Sequence, residues 1–228
     1  IDFFKKIKKH LIDLPPDYHD FLISLEMEFI KDSKDIQLGK MKDIELSYNL
    51  NLEKYNLVEG FYSGISNAFP GSGYIDFHKD RLLVLSSRGF LGYAKNINED
   101  LTLTKIENNI NDFIGVQQFY KSHMFSIKDI YVSKDQIFVS YNEEIKPDCW
   151  NTSVIYGDIN YNKIYFKKFF SPKECIHSLN NVDHEFNPHQ SGGRMFSFDD
   201  NHILLTIGDY RERFYAQKKN SVNGKIIK

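Results

Sequence analysis

The sequence predicts an all-β protein: an incomplete β-propeller with about three blades visible, preceded by an N-terminal helical segment. One observation is a unit met three times, an Asp followed by an apolar run that ends in Ser or Thr. The copies are Asp80-Arg81-Leu82-Leu83-Val84-Leu85-Ser86, Asp135-Gln136-Ile137-Phe138-Val139-Ser140 and Asp200-Asn201-His202-Ile203-Leu204-Leu205-Thr206. A second is that another short strand precedes each copy, at residues 74–77, 130–132 and 195–198. The residues between them, His78-Lys79-Asp80, Ser133-Lys134-Asp135 and Asp199-Asp200-Asn201, accept turn geometry. A third is the supply of aromatic residues, 19 Phe and 14 Tyr, more than a simple helical bundle needs and well suited to pleated surfaces. A β-sandwich also gives serial hairpins, but it does not require the same hairpin three times.

Two segments follow from the change of pattern. Residues 1–45 read as helical. Phe3, Phe4, Ile7, Leu11 and Leu14 recur at helical spacing between lysines, Pro15 and Pro16 end that stretch, and Asp17 caps a second helix through Phe21, Leu25 and Phe29. The first helix is basic enough to lie on a membrane surface, although packing on its own domain is the simpler reading. Residues 46–228 read as the propeller, with short strands from about residue 57. The runs at 82–85, 137–139 and 203–206 are predicted to be equivalent inner strands, with third strands at 92–94 and 153–156. Closing a propeller takes about 4–8 blades, so three units imply a partial ring and a chain that is a fragment.

A net charge of −2 gives no electrostatic footprint for nucleic acid. No apolar run approaches the roughly 20 residues that span a bilayer. Cys149 and Cys175 are the two cysteines, so a four-cysteine zinc site is excluded. They are either two buried thiols or a disulfide. The strands expected at 153–156 and 163–169 form a hairpin that returns them to one place, and in an exported protein they would bridge.

The chemistry gathers at His189-Gln190-Ser191-Gly192-Gly193-Arg194, followed by a hairpin and Gly208-Asp209. The hairpin doubles back, so Asp209 is expected at the end where His189 began. The glycine pair allows a sharp turn and the close approach of a flat ligand. A neutral histidine can take a proton from an alcohol, a carboxylate can hold its tautomer, and an arginine can stabilise negative charge on oxygen. The alternative is a loop histidine, a surface arginine and a turn aspartate. Asp183, His184, Glu185 and His189 can be drawn as a metal site, but their spacing suits a polar loop. Asn151-Thr152-Ser153 fits a glycosylation sequon, Trp150 suits either core or ligand platform, and Gly71-Ser72-Gly73 reads as a turn.

The stretch from His189 through Gly208-Asp209 to Ala216-Gln217, Asn220-Ser221 and Gly224-Lys225-Ile226 resembles the signature of the soluble quinoprotein (pyrroloquinoline quinone, PQQ) glucose and aldose dehydrogenases, the glucose/sorbosone dehydrogenase family. The resemblance is specific over residues 188–227 and collinear over about 70–187. It implies a six-bladed propeller that binds PQQ beside calcium, a sugar or polyol substrate, an electron acceptor as partner, and a periplasmic or otherwise exported location. By the same resemblance His189 is the general base at the sugar hydroxyl and a cofactor contact, Asp209 supports it, and Arg194 contacts cofactor or substrate. The calcium loop is expected outside these residues. Two departures stand out. Phe125-Ser126-Ile127-Lys128-Asp129-Ile130 lacks the family's glycines, leaving His123 as the nearest polar cofactor contact, and Tyr210-Arg211-Glu212-Arg213 is bulky where the family is rich in Gly, Asn and Gln. A cofactor-less propeller that binds carbohydrate or protein is the competing reading, and a propeller hydrolase or lyase is a third.

Overall fold

The computed structural model describes residues 73–95, 102–122 and 124–228 in full, and the backbone of three short strands before them. These are β1 (Asp35–Gln37), β2 (Lys42–Leu46) and β3 (Leu50–Lys54). The two predicted helices, His123 and Gly71-Ser72 lie outside the described residues. Strand β1 and all of β2 except Leu46 fall within the stretch read as helical, and β1 closes the outer edge of the first sheet.

That sheet continues with β4 (Gly73–His78), β5 (Arg81–Ser86), β6 (Leu91–Ala94) and β7 (Thr102–Lys105), in the order β1-β7-β6-β5-β4. A short β8 (Glu107–Asn108) and the helix α1 (Val116–Lys121) lead to the second sheet. Its strands are β9 (Ile127–Ser133), β10 (Gln136–Lys146) and β11 (Cys149–Asp158). After β12 (Lys163–Ile164), which pairs with β8, come β13 (Lys167–Phe170) and β14 (Ile176–His177), both on β11. The third sheet is β15 (Gly192–Asp199), β16 (His202–Ile207) and β17 (Lys225–Ile227), with helix α2 (Arg213–Gln217) in the last connection.

Each sheet opens with the repeated antiparallel hairpin, closed at His78↔Arg81, Ser133↔Gln136 and Asp199↔His202. Lys79 and Lys134 take the same left-handed place in the first two turns, with φ of 57° and 54°. The first strands of successive sheets lie together, β4 against β9 and β9 against β15. This is the stacking of consecutive propeller blades.

The predicted inner runs are the second strands, not the innermost ones. The reason is burial. A second strand has neighbours on both edges and packing on both faces, so it reads as a continuous apolar run. The innermost strand keeps a free edge toward the axis and carries polar residues, as in Ile127-Lys128-Asp129-Ile130-Tyr131-Val132-Ser133. Side chains alternate along β10. Ile137, Val139 and Tyr141 enter the core shared with the first blade, whereas Phe138 enters the core with Met195, Leu205 and Ile207 of the third.

The free inner edges are tied by aspartates. Asp76 on β4 accepts a hydrogen bond from the Val132 N–H on β9 at 2.6 Å, and Asp129 on β9 accepts from the Met195 N–H on β15 at 2.8 Å. At the opposite end, His78 reaches the Tyr161 hydroxyl and Asp135, 2.6 and 3.0 Å away.

Cys149 and Cys175 form a disulfide with Cα atoms 5.3 Å apart. It fastens the start of β11 to β14, where Trp150 is wholly buried and stacks on Phe125 at 3.5 Å. Trp150 is therefore core. Asn151 is also fully buried and donates to the Glu174 carbonyl at 2.7 Å, so the sequon sits inside a blade. Replacing both cysteines with serine releases a loop spanning 26 residues in the unfolded chain. Urea unfolding should show a loss of about 3 kcal/mol.

Candidate active site

The loop that presents His189 is fixed mainly through its backbone. Asn187 opens the short 3-10 turn Pro188–Gln190, its side chain accepting the His189 N–H at 2.9 Å. The returning segment runs beside this loop: Asn187 N donates to Tyr210 O, Gly208 N to Ser191 O and Tyr210 N to Gln190 O. The hairpin thus brings the backbones around His189 and Asp209 together, as its topology predicts. Gly208 has no alternative here, because a Cβ would sit 1.8 Å from the Gln190 carbonyl oxygen.

Gly192 and Gly193, with φ of 70° and 107°, have neighbouring chain where a side chain would stand. A Cβ on Gly192 would meet the Thr206 carbonyl at 2.7 Å, and one on Gly193 would lie 2.4 Å from the Lys128 Cβ. The motif seats the innermost strand of the third blade against that of the second. The tail of the signature is equally architectural. A Cβ on Gly224 would touch Ala216 at 2.5 Å, and Lys225 Nζ donates to the Tyr215 and Ala216 carbonyls at the end of α2.

Arg194 points to the seam between the blades. Its Nη1 donates to Asp129 Oδ1 at 2.9 Å, while the rest of its side chain stays 73% exposed. Asp129 is buried, and desolvation raises its carboxyl pKa despite the Met195 N–H and the arginine.

His189 remains exposed at the same end of the strands. Its pKa is lowered, first by desolvation and then by the Lys128 ammonium, so the imidazole is neutral at pH 7. Lys128 itself, whose Nζ donates to the Met124 carbonyl at 2.8 Å, is pushed down by burial to about 8.

Asp209 takes a local role. Its Oδ1 accepts the Arg211 N–H at 2.9 Å. The bulky sequence after Asp209 has a structural use. Tyr210 and Arg211 adopt φ of 53° and 68°, the left-handed region where glycine is the ordinary choice. What holds Tyr210 there is a buried network: its hydroxyl accepts from Asn142 Nδ2 at 2.8 Å and lies 3.0 Å from the Thr152 hydroxyl. Arg211 and Arg213 go to Glu185, and Arg213 also to Asp183. The acidic residues drawn as metal ligands thus face arginines. Among the described residues no three His, Cys, Asp or Glu side chains are gathered to hold a metal ion.

Sequence reasoning gave no role to Lys128 or Asp129. A signal was available: two adjacent charges inside a short strand flanked by Ile127 and Ile130, one for each face. His123 lies outside the described residues.

No family model matches the chain, and no curated protein matches it. Solved structures do. A crystal structure of a glucose dehydrogenase is similar over 68% of this chain and 43% of its own, with a TM-score of 0.50 and 17% identity. The soluble aldose sugar dehydrogenase of Escherichia coli, in its apo form, is similar over 68% and 43%, with a TM-score of 0.50 and 18% identity. The likeness is one of fold, and the chain spans less than half the length of these neighbours.

Gly193→Ala would bring a Cβ within 2.4 Å of Lys128 and strain a φ of 107°. It should cost about 2 kcal/mol or more in urea unfolding. An unchanged midpoint would mean that the two strands do not pack as described.

Proposed function

We propose that this protein is a sugar or polyol oxidoreductase of the quinoprotein kind, with His189 as the general base. The observation that carries the reading is an exposed imidazole kept neutral by its surroundings, at the end of a propeller's innermost strands. Such a group can accept the proton of a sugar hydroxyl at pH 7. The likeness in fold to glucose and aldose sugar dehydrogenases points to the substrate class.

PQQ is an anionic planar quinone, and the site suits it in charge. Arg194, whose charge is offset by Asp129, keeps N–H donors open to solvent, and Lys128 places a cation beside His189. When bound, PQQ supplies the acceptor for the hydride. This chain's own contribution is to hold His189 neutral, receive the hydroxyl proton at its ring, and aim Arg194 from a fixed base at Asp129. No residue described here is proposed as a calcium ligand. The disulfide supports an exported, oxidising location. Among the described residues no helix is long and apolar enough to cross a membrane.

The second reading, a cofactor-less binding module, is favoured by one specific feature: two of the three expected side chains, Arg194 and Asp209, already serve structural contacts. One experiment separates the two. The protein is supplied with PQQ and calcium, aldoses are screened with an artificial electron acceptor, and His189→Gln is compared with wild type. Turnover should fall by about 10²–10⁴-fold in the variant while quinone binding, followed by absorbance, stays unchanged. Wild-type turnover in His189→Gln would remove the base from the mechanism. Sugar binding without any wild-type oxidation would favour the binding module.

A further inference from the structure

Lys128 is a partly buried cation that has no carboxylate partner among the described residues. Its Nζ has one hydrogen bond, to the neutral carbonyl of Met124. Burial lowers its proton affinity, and among the described residues no carboxylate is bonded to it. The adjacent Asp129 is already committed, to the Met195 N–H and to Arg194. The stem of Lys128 lies against Gly193 at the seam between the two innermost strands, and its charge reaches the His189 ring. An ammonium drawn out of water toward one neutral acceptor leaves donors to spare and gains most from an anion. Among the described residues, the charged and titratable groups around it include His189, neutral at pH 7, and the Arg194–Asp129 pair, whose charges cancel. Among the described residues the seam is therefore left with one positive charge that no carboxylate offsets, beside the imidazole.

We propose that Lys128 is a carboxylate anchor, holding an acidic group of the ligand beside His189. This rests on the reading of His189 as the base and adds the ligand chemistry that the site prefers. Two sources carry such a group: an acidic sugar, such as a uronate, or the quinone with its carboxylates. Nothing in this step forms or breaks a covalent bond. The ammonium donates to the carboxylate, and the pair replaces the lone contact with Met124.

Calorimetric titration tests it without reference to turnover, so failure here is distinct from failure of the catalytic reading. D-glucuronate, D-glucose and PQQ are each titrated into wild type and into Lys128→Met, which keeps the stem against Gly193. At pH 7 at least one carboxylate ligand should bind wild type and lose tenfold or more in Lys128→Met, while any glucose affinity stays unchanged. If the loss falls on glucuronate, the anchored group belongs to the substrate; if on PQQ alone, it belongs to the cofactor. In wild type, which needs no variant, binding of that ligand should weaken as pH rises from 7 toward 9 and the ammonium loses its proton. Equal affinities in wild type and Lys128→Met for both acidic ligands would overturn the proposal. So would wild-type binding that does not change across that pH range.

Discussion

A single buried carboxylate, that of Asp129, governs how the second and third blades meet. The innermost strand of a blade has a partner on one edge only, and its other edge would leave N–H groups unpaired. Asp129 answers this with both oxygens, one on the Met195 N–H and one on Arg194. Its pKa is raised by desolvation, which marks the expense of placing it there. The ion pair with a largely exposed arginine contributes little, of order 0–1 kcal/mol. The bond to the backbone matters more, since a buried N–H left alone costs about 1–3 kcal/mol. Asp76 repeats the device between the first and second blades.

The candidate site follows from that seam. Met195 and Gly193 are held against β9, so the loop before them, with His189, is placed relative to Lys128. Ser140 and Thr152 add hydroxyl bonds to the Gly193 and Ser191 carbonyls. Beneath the loop, Phe186 stacks on Tyr210 and Phe125 on Trp150, and the disulfide closes the same region. A rigid support of this kind suits a base that must meet its proton at a fixed place.

Much of the fold was legible in the sequence because the repeated hairpin has both a turn and a continuous apolar strand. Cys149 and Cys175 were placed together by the same hairpin logic. Which strand lies innermost was not legible from hydrophobicity, because the most apolar strand is the one enclosed on every side. The site was legible as a location and less so as chemistry. Residues matching a signature also carry structure: Gly192, Gly193, Gly208 and Gly224 are required by neighbouring chain, and Asp209 accepts the Arg211 N–H of its own turn. Lys128 escaped notice because its meaning depends on a contact between blades, with a sequence separation that no local pattern reports.

Asp129 holds the seam between the second and third blades. Amide hydrogen exchange in Asp129→Ala tests it most directly, comparing Met195 on β15 with Ile155, which lies inside the second blade on β11. Protection at Met195 should fall at least about tenfold further than at Ile155, because its N–H loses the Asp129 acceptor across the seam. Equal changes at the two amides, or none at Met195, would contradict it.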